Sequence, residues 1–319
     1  MRNMVRILRR AGLCITILIA LAAAAFIIAK TPAFDSFLEG RLKLFFEERG
    51  VTLDAEGFDF DPVGPTLALT SLKALGDGGA WNFSSGALKL RLHFIRSISG
   101  PPVISFEAEM PRFEGVLPTQ AEAAEGGADN NPTLIALPVE FDRLYVKGGS
   151  VDFTRGDDFA LSLNGISFDW RGNVTSGEIK DGLFAWRGGT EELREFSFEG
   201  ERRVGRHLLK KLRLESSRVY LDGAASLDEF GVISGSVEGH FEAKEIPESW
   251  LEPLRLNSFH PITGRATFTG VAAGSRGDPL LDLDISIGPA TFGTLKSEEA
   301  SLTATLSREG LRFEELEGK

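Results

Sequence analysis

The 319-residue chain has one cysteine, two tyrosines, three methionines and four histidines. The lone Cys14 excludes an intrachain disulfide framework and any zinc site built from cysteine pairs. His93, His207, His240 and His260 are far apart and share no metal-ligand spacing. Neither a Gly-x-Ser-x-Gly elbow nor a His-Glu-x-x-His helix occurs, and no glycine cluster leads into the Lys-Ser/Thr of a phosphate loop. The acid pairs Asp157–Asp158 and Glu298–Glu299 read as turn and edge charges. Catalysis, metal binding and a cofactor are therefore not expected. Polar aromatics are also scarce: 24 phenylalanines stand against four tryptophans and two tyrosines. Phenylalanine supplies apolar area without a polar handle, which suits a core or a surface that meets acyl chains better than a sugar site.

Charge is unevenly distributed. The first thirty residues carry Arg2, Arg6, Arg9, Arg10 and Lys30 and no acid, so the rest of the chain accounts for more than the whole formal charge of −11. An acidic body repels phosphate backbones and argues against nucleic-acid binding. One basic cluster interrupts it: Arg202, Arg203, Arg206, His207, Lys210 and Lys211. A solvated turn is the simpler reading of that cluster, and contact with anionic lipid headgroups is the other.

Ala11 to Ala29 forms an uncharged run of 19 residues. As a helix it would span about 28 Å, close to a hydrocarbon core of about 30 Å. The preceding arginines place the N-terminus in the cytoplasm and the body across the membrane. Phe26, Ile27 and Ile28 extend the run past the Ala22–Ala25 stretch, so retention as a single-pass anchor is expected rather than cleavage as a signal peptide. Residues 31–50 follow as a short amphipathic helix with Phe34, Phe37, Leu38, Leu42, Phe45 and Phe46 on one face and Gly50 as its C-cap. That helix either lies on the bilayer surface or caps the first strands.

From Val51 the apolar period changes from 3.6 to 2. Leu88, Leu90, Leu92 and Phe94 alternate with Lys89, Arg91 and His93, whose ring is expected in solvent. Similar alternation marks Ile104, Phe106 and Ala108, then Leu161 and Leu163. Past a break at Gly165 come Ile166, Phe168 and Trp170. Phe196 and Phe198, Leu212 and Leu214, Ala266 and Phe268, and Leu302, Ala304 and Leu306 continue the series. In Leu281, Leu283, Ile285 and Ile287 the intervening residues are Asp282, Asp284 and Ser286. About 15–18 strands are predicted, with one short helix-like segment, PESWLEPL, within Ile246–Leu254. Turns are read at KGG 147–149 and RGDD 155–158 among others, and the phrases at 144–153, 161–170 and 179–186 as strand, glycine turn, new strand. The polar stretch 118–133 reads as a flexible linker. The predicted organisation is thus a basic tip and anchor (1–30), an amphipathic helix (31–50), a first β segment (51–117), the linker (118–133) and a second β segment (134–319). The last phrase, Leu311 to Leu316, opens a new strand, so a continuation beyond it is expected.

In their order these features resemble the AsmA-like family of bacterial envelope proteins, the group of AsmA, TamB and the YhdP-type proteins. The likeness rests on the arginine-flanked anchor, the helix ending at Glu48–Gly50, the strand pair VTLDAEGFDF and TLALTSLKAL, and the glycine-containing phrases at 144–153 and 161–170. It implies a mainly β protein with an elongated, curled, antiparallel-rich and repeat-like β-sheet groove, held to the inner membrane and projecting into the periplasm. It also implies phospholipid or another acyl lipid as ligand and a role in lipid transfer between membranes and in outer-membrane homeostasis. A scaffold or assembly factor for outer-membrane proteins, as in the TamB branch, is the alternative, with other envelope proteins as partners. The resemblance carries over no catalytic residue. On this reading the groove lining consists of Leu88, Leu90, Leu92 and Phe94, then Leu161, Leu163, Ile166, Phe168 and Trp170, then Leu281, Leu283, Ile285 and Ile287.

Overall fold

The computed structural model describes residues 32–48, 50–61, 64–76, 80–93, 103–116, 140–244, 246–251, 260–308 and 310–318. The protein is mainly β, with twenty strands and two helices among these residues. No helix among the described residues is long and apolar enough to cross a membrane. The Ala11–Ala29 run, the 118–133 stretch and Phe94 lie outside them. The chain divides into two compact units, Met1–Gly156 with Ser167–Gly172 and Asp157–Ile166 with Asn173–Lys319.

Unit 1 begins with helix α1 (Pro32–Glu47), which contacts β1 (Val51–Asp54) and β2 (Gly57–Asp61). This contact answers the question left open by the pattern: α1 caps the first strands. It buries Leu42 to 4% exposure, while Phe37 stays 52% exposed with the Arg41 guanidinium over its ring. β1 and β2 both pair antiparallel with β3 (Thr66–Gly76), and β3 pairs with β4 (Trp81–Leu92). On the far side of β4 lie β5 (Val103–Glu109) and β6 (Arg112–Val116). Strand β7 (Glu140–Arg155) then runs parallel to both. A parallel partner needs a crossover connection rather than a hairpin, and the 23 residues between β6 and β7 supply its length. These parallel pairs attach β7 to unit 1, although its sequence position lies beyond the 118–133 stretch.

The core of unit 1 follows from register. Phe60 faces Leu67, Leu67 faces Leu90, and Leu90 faces Phe106 across four neighbouring strands. Phe60, Leu67 and Leu90 form one buried cluster with Leu69, Leu72, Leu92 and Ile104, in which Ile104 is wholly inaccessible, and half-buried Phe106 packs against it. Side chains opposite one another on the same sheet face lie about 5 Å apart, so period-2 apolar strands in this register build a continuous layer. His93, expected in solvent, instead hydrogen-bonds the Ser105 hydroxyl at 2.7 Å and lies 3.6 Å from the Asp142 carboxylate.

Unit 2 is built of antiparallel strands. β8 (Phe159–Arg171) pairs through residues 159–164 with β10 (Asp181–Trp186). β10 and β9 (Val174–Ile179) both pair with β11 (Gly189–Arg203). The succession then runs through β12 (Arg206–Ser216), β13 (Val219–Asp228), β14 (Ile233–Ala243), β15 (Ile262–Gly274) and β16 (Pro279–Ile287). The hairpin of β17 (Ala290–Phe292) and β18 (Leu295–Ser297) folds onto the start of β15. Beyond it β16 pairs with β19 (Ala300–Ser307), and β19 with β20 (Gly310–Gly318). The helix-like PESWLEPL segment contributes α2 (Glu248–Leu251) between β14 and β15.

The glycine phrases need correction. KGG 147–149 is not a turn: β7 runs unbroken from Glu140 to Arg155, and β8 likewise runs through Gly165. Gly148 and Gly165 take positive φ, 66° and 62°, and act as kinks inside single strands. Pairing survives because neighbouring strands are irregular at the same level. In unit 1, Ser71 (φ 50°) lies between the β3 residues that pair with β2 and β1, and Met110 (φ 49°) separates β5 from β6. Aligned irregularities of this kind let a sheet bend without losing its ladder. Kinked strands counted in pieces, such as β5 with β6 and β9 with β10, also raise the strand number above the predicted range.

Candidate apolar binding face

Register in unit 2 sorts the side chains into two faces. One row runs Phe196, Leu214, Leu221, Gly239, Phe268, Ile285, Leu302 through β11 to β16 and β19. The next runs Phe198, Leu212, Gly223, Val237, Gly270, Leu283, Ala304 through the same seven strands. At about 4.8 Å between strands, each row extends about 29 Å along the sheet. The opposite face carries Arg213, Asp222, Glu238, Thr269, Asp284 and Thr303 in one row. The Asp222 carboxylate accepts a hydrogen bond from Arg213 Nε at 3.3 Å and holds that guanidinium's pKa above its ordinary value. The sheet is thus apolar along these rows on one side and polar on the other.

Burial separates this face from the unit 1 core. Among the described residues fifteen apolar side chains are buried; twelve belong to unit 1, and the three in unit 2 are all alanines, Ala243, Ala290 and Ala304. Every phenylalanine, leucine, isoleucine and valine in the two rows is half-buried. Glycines explain part of that state. A Cβ at Gly239 would stand 2.6 Å from the Phe268 ring, and one at Gly270 would stand 2.7 Å from Leu283. Leu163 lies over Gly182 in the same way, also at 2.7 Å. Large side chains therefore lie down across the bare backbone of the adjacent strand. The result is a smooth apolar surface that its own residues cover only in part.

One end of this face is stoppered. Trp250, on α2, sits 6.4 Å from Phe184 with its ring against Gly189, and its Nε1 donates to the Trp186 carbonyl at 2.6 Å. Ser249 Oγ donates to the Arg187 carbonyl at 2.6 Å. Arg218 lies over the Trp250 ring, forms an ion pair with Glu191, and donates to the carbonyls of Thr190 and Lys244.

The sequence-predicted lining falls into three groups. Leu281, Leu283, Ile285 and Ile287 lie half-buried on the apolar face of unit 2, with Asp282, Asp284 and Ser286 exposed between them. Leu161 and Leu163 face Phe184 and Gly182 on the same side of their strand pair. Ile166 closes the unit 2 part of β8, whereas Phe168 and Trp170 belong to unit 1, where Trp170 meets Phe141 at 6.3 Å. Between them on β8, Asp169 pairs with Arg143 and Arg171. Leu90 and Leu92 are sealed at 6% and 7% exposure in the unit 1 core, and Leu88 packs against it. Leu90 and Leu92 therefore line no open surface, while Leu88 stays half-buried beside them. The sequence reading missed the glycines as members of the face. The signal for them is their alternation with bulky residues, as in FTG 268–270 and VEGHF 237–241.

No protein-family model matches the chain, and no curated protein matches it.

Proposed function

We propose that the chain is an inner-membrane-anchored periplasmic protein that carries phospholipid or another acyl lipid along the apolar face of unit 2. The supporting observation is a pair of apolar rows crossing seven strands, with every leucine, isoleucine, valine and phenylalanine in them half-buried, backed by a polar face. Half a bilayer core is about 15 Å deep, so a row of about 29 Å accommodates an extended acyl chain. Each CH₂ moved from water onto such a surface gains up to about 0.8 kcal/mol, enough for a chain to be held and, without polar anchors along the rows, to slide. The Ala11–Ala29 run supplies the anchor and the arginines before it the orientation. The resemblance to AsmA-like proteins points the same way.

Photo-crosslinking in the full-length, membrane-embedded protein tests this directly. A photoreactive residue at Ile285 is expected to yield lipid adducts by mass spectrometry, and one at Ser286, on the polar face of the same strand, none. Equal adducts at both positions, or none at Ile285, would overturn the proposal. Adducts to an outer-membrane protein in place of lipid would favour the assembly-factor alternative.

A further inference from the structure

The hairpin turns at one end of unit 2 form a surface that the lipid-carrying face does not explain. Five connections meet there. Arg202 N donates to the Asn173 carbonyl at 2.6 Å, which joins the turn after β8 to the end of β11. Arg276 N donates to Gly231 O at 2.8 Å, joining the β15–β16 turn to the β13–β14 turn, and Arg308 Nη1 donates to Gly277 O at 2.7 Å. A cavity of about 600 Å³ opens among them, lined in part by Arg202, Arg203, Arg206, His207 and Arg276.

Two carboxylates near this end are already engaged. Glu201 is held by Arg203 at 2.7 Å and Lys210 at 2.6 Å, and Asp228 accepts the N–H groups of Phe230 and Val232. Glu229 lines the same cavity, and Asp278 sits in the β15–β16 turn. Arg202 and Arg276 form no ion pair among the described residues, and Arg206 donates to a hydroxyl, that of Ser226. In a chain of net charge −11 this is a local concentration of available guanidinium groups.

The tips of the same turns are apolar. Val204, between β11 and β12, is fully exposed, and Phe230, between β13 and β14, is 83% exposed. Ordinary turn positions favour glycine, asparagine, aspartate or serine, so two large apolar tips flanked by arginines ask for a partner that is apolar inside and anionic at its surface. The apolar face leads to this end. Its last cross-strand pair on the β11–β12 hairpin is Arg202 with His207, followed by Leu227 and Ile233 on the next two strands. A second cavity of about 340 Å³, lined by Leu209, Ala225, Leu227 and Ile233, shares His207, Leu227 and Arg276 with the first.

We infer that this turn end docks on an anionic phospholipid surface, with Val204 and Phe230 entering the headgroup layer and Arg202, Arg206 and Arg276 binding lipid phosphates. Guanidinium groups bind phosphate oxygens through charge-assisted hydrogen bonds, and apolar tips with basic flanks are the pattern of interfacial binding. The docking surface stands on its own observations and does not require that lipid travel along the face.

The test uses full-length protein reconstituted in donor liposomes and measures capture of separate acceptor vesicles. Acceptors of roughly 30:70 phosphatidylglycerol to phosphatidylcholine, which carry a negative surface potential, are expected to be captured, and pure phosphatidylcholine acceptors to remain free. Arg202→Glu with Arg276→Glu should lower capture at least about tenfold, and Phe230→Ser with Val204→Ser should lower it at matched secondary structure. Lys296→Glu and Val271→Ser, exposed elsewhere in unit 2, should leave it unchanged. Equal capture of both acceptors, or wild-type capture by the arginine variant, overturns the inference. Capture with no lipid adduct at Ile285 would retain docking and reject lipid carriage; adducts without capture would do the reverse.

Discussion

The two units use the same alternating pattern to opposite ends. In unit 1 the strands around Leu67, Leu90 and Ile104 close into a layer with exposures of 5%, 6% and 0%. In unit 2, Leu283, Ile285 and Phe268 occupy equivalent alternate positions and stay half-buried. Composition does not separate them, since leucine, isoleucine and phenylalanine serve in both. Coverage does. In unit 1, α1 lies on β1 and β2, and β2 to β5 contribute to one cluster. In unit 2 the strands follow one another in antiparallel succession, and among the described residues the helix that lies on the apolar face is the four-residue α2 at one end. Alternation thus makes a face, and a second layer is needed to make a core.

The sharpest way to break this contrast is to truncate one isoleucine from each unit. Ile104→Ala should cost about 2–5 kcal/mol, the range for emptying a sealed site, whereas Ile285→Ala should cost about 1 kcal/mol because part of its surface is already in water and no cavity is sealed around it. Chemical denaturation of the two variants measures both. Equal losses would mean that the unit 2 face is as closed as the unit 1 core.

A smaller effect probes the glycines. Gly239→Ala drives a methyl group toward the Phe268 ring and the Tyr220 carbonyl, an overpacking expected to cost about 1–3 kcal/mol. Gly40→Ala in α1 meets no atom within 4 Å and should instead stabilise by about 0.5–1 kcal/mol. Thermal melts of the pair should move in opposite directions. A neutral Gly239→Ala would show that the large side chains do not need bare backbone beneath them.

The smallest expected effect is electrostatic and belongs to the basic turn end. The Arg203 guanidinium, and then the Lys210 ammonium, hold the Glu201 carboxyl down from 4.5 to about 2. A depressed carboxylate pKa stabilises the fold above its unfolded value and loses that contribution as pH falls through its folded value. The contribution should therefore be complete above pH 4.5 and fade between 4.5 and about 2. Comparing wild type with Glu201→Gln across that window should show a modest stability difference that vanishes at the acid end. A difference independent of pH would remove the ion pair as its cause.

Much of the fold was legible in the sequence. The change of period after Gly50, the helix before it and the short helix near Trp250 all follow from local pattern. The kinks at Gly148 and Gly165 were visible as glycines but not as kinks: a positive φ serves a turn and a bulge equally well, and only pairing on both sides tells them apart. The parallel attachment of β7 was equally hidden, because it depends on partners more than thirty residues away in the chain.

For the candidate face, the sequence by itself determined which residues share a side of each strand, since successive side chains in an extended chain point to opposite faces. It thereby placed Leu281, Leu283, Ile285 and Ile287 together and set Asp282, Asp284 and Ser286 against them. Tertiary structure alone decided that Leu90 and Leu92, with the same alternation, are sealed while those four are not. It also decided that Arg202, Arg206 and Arg276 meet at one end, where hairpin turns distant in sequence come together. The physical reason is the same in both cases. Alternation is a property of consecutive residues, whereas coverage and convergence are set by register between strands and by what packs over them.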